Sequence, residues 1–135
     1  MDPGRSPSSS HRVVLVVDDE PLIRLGFRGA LEAEEFQVVE AEDAYEALRA
    51  LAELSAIETM ICDVEMPGID GLELARLAAE QRPDLKIIIV SGRADALDSR
   101  ITAGVQFMRK PIPLAPFAQW LRQTSEAAEA QAEGL

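Results

Sequence analysis

The sequence predicts a doubly wound α/β domain, a (βα)5 chain with one five-stranded parallel sheet. Short apolar runs alternate with segments of helical periodicity, and each strand–helix unit takes about 20 to 25 residues. Most runs lack polar alternation, which is typical of strands buried on both faces of a parallel sheet. Such a sheet carries helices on both of its faces. A chain of 135 residues, of which 47% are hydrophobic, is sufficient for one such domain.

Five apolar runs supply the predicted strands. They are RVVLVV from residue 12, FQVVEA from 36, ETMIC from 58, LKIIIV from 85 and VQFM from 105. The run from 12 is rich in β-branched residues, and the run from 85 is almost wholly apolar. Both are therefore expected in the interior of the sheet.

The predicted helices follow from proline and aspartate signals. Pro21 occupies a first-turn position, where a missing N–H costs nothing. Asp43 and Asp70 are predicted N-caps of the second and third helices, because their carboxylates can accept from amides of the first turn. A short fourth helix is expected from about 94 to 103, and a last helix from about 114 to the Ala- and Glu-rich end. The second helix should carry Tyr45, Leu48, Leu51 and Leu54 at helical spacing.

Composition and the termini restrict the class of protein. Residues 1–11 are rich in Ser, Pro and Gly and are predicted to be a disordered tail, 12–124 the folded domain, and 125–135 the helix end and tail. No apolar run approaches the ~20 residues of a membrane helix. The N-terminus lacks a signal-peptide core, and one cysteine, Cys62, excludes a disulfide framework. A cytoplasmic location is expected, and the net charge of −11 argues against nucleic-acid binding.

Polar residues follow four of the five predicted strands. Asp18, Asp19 and Glu20 follow the first, Asp63 the third, Ser91 the fourth and Lys110 the fifth. In open α/β sheets, ligands bind outside the carboxyl ends of the strands, where the strand order reverses. An acidic cluster, a hydroxyl and an ammonium group are therefore expected to converge at one edge of the sheet.

This set of groups predicts a hard cation and phosphate chemistry. Clustered carboxylates repel one another unless a cation or a proton relieves them. Oxygen ligands with room for water favour Mg²⁺, and the only histidine, His11, lies in the tail, which argues against zinc. Helix capping is the alternative for Asp18 and Asp19. A carboxylate such as Asp63, beside Mg²⁺ and Lys110, can attack phosphorus, and Ser91 can donate to a phosphoryl oxygen.

Four motifs in order resemble the receiver domain of bacterial two-component response regulators. They are VLVVDDE, CDVEMPGIDGLEL, IIIVSG and AGVQFMRKPI, and the resemblance covers residues 12 to 122. It implies a flavodoxin-like sheet of strand order 2-1-3-4-5, like that of the chemotaxis regulator. It also implies a signalling phosphoacceptor that catalyses its own phosphoryl transfer and dephosphorylation, rather than a metabolic enzyme. The phosphoryl donor would be a sensor histidine kinase or a phosphotransfer protein.

The resemblance also assigns a role to each matching residue. Asp63 is the implied phosphoacceptor, and Lys110, joined to Pro111 by a cis bond, the implied phosphate-binding lysine. Ser91 and Phe107 take the two switch positions. The implied Mg²⁺ ligands are Asp19, Asp63, the Glu65 backbone carbonyl and, through water, Asp18.

Two departures from the common family pattern affect the switch and the mouth of the site. Phe107 has no hydroxyl where many relatives carry tyrosine, so its role would be steric, and a plain core aromatic is the alternative. Glu65 and Arg93 are expected at the mouth of the site, where they could pair. Cys62 is predicted to be a small core residue, and Trp120 to lie on the flank of the apolar stripe of the last helix.

Two other interpretations of function stay open at this stage. One is a pseudo-receiver, a binding module of the same fold that works without phosphate. The other is a receiver piece of a longer regulator or of a hybrid histidine kinase. A haloacid dehalogenase-type hydrolase is rejected, since Glu65 stands where that family usually has a second aspartate. The downstream contact is expected to be a protein partner on the face formed by the fourth helix, the fifth strand and the fifth helix.

Overall fold

The computed structural model describes residues 12–92 and 105–133, with side chains described as far as residue 127. Its strands are β1 Val13–Val17, β2 Gln37–Ala41, β3 Ile57–Asp63, β4 Lys86–Ser91 and β5 Val105–Arg109. Its helices are α1 Pro21–Ala33, α2 Ala44–Glu53, α3 Gly71–Gln81 and α4 Leu114–Glu133. The helix expected from 94 to 103 lies outside the described residues, so α4 is the last helix of the prediction.

The five strands form one parallel sheet in the order β2-β1-β3-β4-β5, which confirms the predicted architecture. Strand β1 is the second strand of the sheet and pairs with both β2 and β3, and Val17 at its end lies beside Ala41 and Cys62. The chain first moves outward to β2 and then crosses back to β3. The strand order therefore reverses between β1 and β3. Asp18, which follows β1, and Asp63, which ends β3, lie side by side at this edge of the sheet.

The predicted helix starts are confirmed. Pro21 is the first residue of α1. The Asp43 carboxylate accepts from the backbone N–H of Glu46 at 2.9 Å, and the Asp70 carboxylate accepts from that of Glu73 at 2.9 Å. Each cap satisfies an amide that the helix itself leaves without a partner.

The buried face of α2 differs from the expected one. Tyr45 is 74% exposed and Leu54, which follows the helix, is 44% exposed. The buried residues are Ala44, Ala47 and Leu51, which lie three or four positions apart. Small side chains at two of these positions let the helix pack close to the sheet, and the large ring of Tyr45 lies to one side.

Alternate residues of the strands build two core layers. One layer lies under α2 and α3 and includes Leu15, Met60, Ile87 and Ile89. The other lies under α1 and α4 and includes Val14, Val16, Ile61 and Ile88. In this second layer the rings of Phe27 and Phe117 meet edge to face at 5.8 Å and join α1 to α4.

Trp120 of α4 lies against the beginning of β4. Its ring is half-buried, as predicted, and stacks obliquely on Phe117 at 5.9 Å. The Lys86 ammonium lies 4.9 Å from its centroid and donates to Thr124 Oγ1 at 3.0 Å. Burial lowers the pKa of Lys86, and the ring face and the hydroxyl partly replace its lost water. Within the described residues, no helix combines the length and the apolarity needed to cross a membrane.

Candidate functional site

Three carboxylates meet at the carboxyl edge of the sheet. Asp18 follows β1 and is 3% exposed, Asp63 ends β3 and is 8% exposed, and Asp19 faces solvent. One oxygen from each lies within 4.8 Å of the others. The cluster lies at the predicted edge of the sheet, but it is smaller than the sequence predicted, because Glu20 is not one of its members. It offers oxygen donors only.

Asp63 is held in place by its own loop and by α3. Its Oδ1 accepts from the backbone N–H of Glu65 at 3.3 Å. Gly71, the first residue of α3, donates its N–H to the Val64 carbonyl at 3.0 Å. The backbone is so close here that a Cβ at Gly71 would lie 2.1 Å from the Asp63 carbonyl oxygen. Only glycine fits this approach, and the carboxylate is thereby fixed at the edge of the sheet.

Lys110 approaches the cluster from the end of β5. Its backbone N–H donates to the Ser91 carbonyl at 2.8 Å, which extends the β4–β5 pairing by one residue. Its ammonium nitrogen lies 3.5 Å from Asp63 Oδ2 and 3.9 Å from Asp18 Oδ2. The bond to Pro111 is cis, as the resemblance implied. One cation therefore faces both buried carboxylates.

Burial sets the electrostatics of the site. It is the largest effect on both Asp18 and Asp63, and it raises the pKa of each carboxyl. The Lys110 charge acts in the opposite direction but is the smaller effect. Asp63 also raises the pKa of Asp18, since like charges lie close together. Among the described residues, three carboxylates and one lysine meet at this site, and a further cation would relieve the repulsion between the carboxylates.

The remaining residues named from the sequence differ in how far they are buried. Ser91 is the last residue of β4 and is fully buried. Phe107 is partly buried and packs against the core layer under α2 and α3. Glu65 is exposed at the mouth of the site, while Arg93 lies outside the described residues. Cys62 is confirmed as a core residue, because its side chain is fully buried in the layer under α2 and α3. This burial raises the pKa of its thiol to about 12.

Two features beside the site were not predicted from the sequence. Arg24 of α1 and Glu40 of β2 form an ion pair at 2.9 Å next to the Asp18 loop. A mostly apolar cavity of about 490 Å³ lies between α1 and the segment after β5, and Lys110 contributes to its wall. The ion pair had one signal in the sequence: Arg24 and Arg28 lie four residues apart and therefore on one face of the predicted helix.

Comparison with known proteins identifies the fold and its family. The family model described as the response regulator receiver domain matches residues 14–122. The chain belongs to this family. The receiver resemblance seen in the four motifs is thus confirmed over nearly the whole folded region.

Among curated relatives, this receiver domain is similar to the sensor kinase CckA of Brucella abortus, with 35% identity over 122 residues. The match covers 87% of this chain and 13% of CckA. It is also 35% identical to the response regulator GacA of Pseudomonas aeruginosa, over 82% of this chain and 53% of GacA. The chain spans only part of the length of these relatives.

Solved receiver structures have the same fold. A receiver domain protein of Methanospirillum hungatei, described as CheY-like, has a TM-score of 0.78 and 27% identity, over 89% of this chain and 98% of that one. The response regulator TrrA of Thermotoga maritima, solved with Mg²⁺ and BeF, has a TM-score of 0.75 and 30% identity, over 83% and 97%. TrrA was also solved in complex with the histidine kinase ThkA.

Proposed function

We propose that this receiver domain is a phosphorylation-dependent switch. Asp63 takes a phosphoryl group from a sensor histidine kinase or a phosphotransfer protein, with Mg²⁺ as cofactor, and the change alters a surface that binds a protein partner. The observation that carries the proposal is the Asp63 carboxylate, which lies 3.5 Å from the Lys110 ammonium and within the cluster of three acids.

The donor set fits Mg²⁺. Three carboxylates within 4.8 Å supply only oxygen, and Asp19 is open to solvent, so water can complete the coordination. Asp18, Asp19, Asp63 and the Glu65 backbone carbonyl would hold the ion, with Asp18 acting through water. When bound, the ion supplies positive charge for the phosphoryl oxygens. TrrA, which shares this fold, was solved with Mg²⁺ and BeF.

The chemistry of the transfer falls to Asp63, Lys110 and Ser91. An Asp63 oxygen attacks phosphorus and forms an O–P bond, while the P–N bond of the donor phosphohistidine breaks and the imidazole keeps the electron pair. Lys110 neutralises charge on the phosphoryl oxygens. The Ser91 hydroxyl donates to another of these oxygens. The complex of TrrA with ThkA is consistent with a histidine kinase as the partner.

The direct test is phosphorylation of the wild-type protein by acetyl phosphate. In the presence of Mg²⁺, the intact protein should gain the mass of one phosphoryl group, and a borohydride-trapped peptide map should place it at Asp63. Addition of EDTA should prevent the gain. A protein that binds Mg²⁺ but gains no mass, with acetyl phosphate or with a histidine kinase, would instead be a phosphate-independent binding module.

The Asp19→Ala variant is expected to bind Mg²⁺ about tenfold or more weakly than the wild type, because it loses a direct ligand. The measurement is calorimetric titration of the metal-free protein. Asp84→Ala is the control, because Asp84 is an exposed acid in the turn before β4, away from the carboxyl edge. Equal Mg²⁺ affinity in wild type and Asp19→Ala would mean that Asp19 is not a metal ligand and would favour the alternative role in helix capping.

The Ser91→Ala variant is expected to accept phosphoryl at Asp63 and yet lose most of the distant response. The phosphoryl group adds charge and acceptor oxygens that draw the Ser91 hydroxyl inward. Ser91 is the last residue of β4, and Phe107 is the middle residue of the neighbouring strand β5, where it pairs with Ile89. We expect the movement of Ser91 to make room for the Phe107 ring. Amide shifts of Phe107 and Trp120, with and without beryllofluoride, measure the response. Equal shifts in both proteins would show that the signal leaves the site by another route.

A further inference from the structure

The guanidinium of Arg24 links the loop that contains Asp18 and Asp19 to the end of β2. Its Nη1 donates to the backbone carbonyl of Asp18 at 2.6 Å. Its Nε donates to Glu40 Oε1 at 2.9 Å. The side chain is only 14% exposed, so competition from water is reduced. One planar group therefore links the loop after β1 to its neighbouring strand, which a lysine could not do in the same geometry.

Glu40 is held in turn by a second arginine. Arg28, one turn further along α1, donates Nε to Glu40 Oε2 at 2.7 Å and Nη2 to the Val38 carbonyl at 3.2 Å. The bond from Arg28 is the main cause of the lowered pKa of Glu40. Both carboxylate oxygens of Glu40 are thus engaged, and the acceptor offered to Arg24 has a fixed orientation.

The Arg24 bond acts on the backbone of Asp18 and not on its carboxylate. The carboxylate accepts instead from the backbone N–H of Glu20 at 2.9 Å. The carbonyl and the carboxylate of Asp18 are therefore fixed by different partners, and rotation of the Asp18–Asp19 peptide would break at least one bond. Outer partners of this kind orient metal ligands.

We propose that Arg24 is a positioning residue for the acidic cluster: it fixes the Asp18–Asp19 backbone so that both carboxylates face Asp63 and Mg²⁺ is bound tightly enough to support phosphoryl uptake. The inference rests on the proposed function. A pure charge effect would have the opposite sign, because a cation beside the cluster repels Mg²⁺. The direction of the change in Mg²⁺ affinity thus separates positioning from charge.

The test compares Arg24→Gln with Arg28→Gln by calorimetric titration with Mg²⁺. Both variants remove one positive charge from the same helix and one bond to Glu40, but only Arg24→Gln removes the bond to the Asp18 carbonyl. We expect the Mg²⁺ Kd to rise about tenfold in Arg24→Gln and only about twofold in Arg28→Gln, which loosens Glu40 but keeps the bond from Arg24 to the Asp18 carbonyl. With acetyl phosphate, the half-saturating Mg²⁺ concentration should rise in Arg24→Gln while the rate at saturating Mg²⁺ changes little.

A second readout uses the metal-free protein. Hydrogen exchange at the Glu20 amide should be faster in Arg24→Gln than in wild type or Arg28→Gln, because the loop loses its anchor. Arg24→Lys, which keeps the charge without the planar fork, should give intermediate exchange and affinity, and it replaces Arg24→Gln if that variant does not fold.

Unchanged or tighter Mg²⁺ binding by a folded Arg24→Gln protein would overturn the inference. Unchanged exchange at Glu20 would overturn it as well, whether or not the metal binds. Absence of Mg²⁺ binding or phosphoryl uptake by the wild type would instead remove the proposed function, and with it the metal part of the inference. Faster Glu20 exchange would then still establish that Arg24 holds the loop.

Discussion

The Asp63→Asn variant is expected to gain no phosphoryl group from acetyl phosphate in Mg²⁺, while the wild type is labelled. An amide is a poor nucleophile, and the variant also loses the charge that faces Lys110 at 3.5 Å. Intact-mass spectrometry measures the difference. Asp70→Asn is the matched control, because asparagine also caps helices well, and it should be labelled like the wild type. Labelling of Asp63→Asn at the wild-type level would mean that another residue is the acceptor.

The same Asp63→Asn substitution should raise the Tm at neutral pH. Burial raises the pKa of Asp63 above its ordinary value of 3.8, so the folded protein binds this proton more tightly than the unfolded chain. That stabilisation is fully present below the unfolded pKa and is lost as the pH rises through the folded pKa. The Tm difference between Asp63→Asn and wild type should therefore grow from acid to neutral pH. A variant less stable at neutral pH would mean that the Lys110 ion pair outweighs burial.

Gly71→Ala is expected to destabilise the fold by about 3 kcal/mol or more, because the new methyl group would overlap a backbone that cannot move cheaply. Its Cβ would lie 2.1 Å from the Asp63 carbonyl oxygen and 2.9 Å from Val64 Cα. Urea unfolding measures the loss. Phosphorylation should fall as well, since any relief of the overlap displaces Asp63.

Gly29→Ala provides the control for Gly71→Ala. Gly29 lies inside α1, faces solvent, and has no atom within 4 Å of the position of a new Cβ. The change should therefore stabilise the helix by about 0.5 to 1 kcal/mol. If both substitutions left the free energy of unfolding unchanged, the close approach of α3 to Asp63 would not be a constraint in solution.

Local signals were sufficient to predict the strands, the helix starts and a parallel sheet. An apolar run predicts a strand without knowledge of the neighbouring strands. Asp43 and Asp70 cap their helices by accepting from amides only three residues away, so both caps could be predicted from local sequence. Parallel pairing then brings the strand ends together, so Asp18, Asp63 and Lys110 could be placed at one edge without coordinates. The strand order itself came from the family resemblance, because composition and spacing do not determine it.

Features that depend on long-range packing could not be predicted in this way. Arg24 and Glu40 lie 16 residues apart and meet only because α1 folds back over β2. The exposure of Tyr45 depends on how closely α2 approaches the sheet, which its small residues decide. The need for glycine at position 71 comes from a backbone contact with Asp63 that no local pattern records.

The position of Trp120 makes its intrinsic fluorescence a reporter of events at the site. It is the single tryptophan of the chain, so intrinsic emission excited in the indole band comes from one ring. That ring lies over Lys86, the first residue of β4, and Ser91, the implied switch residue, is the last residue of the same strand. A spectral change on addition of Mg²⁺ or beryllofluoride would thus report, without any attached dye, that a binding event at one end of β4 reaches the α4 contact at the other.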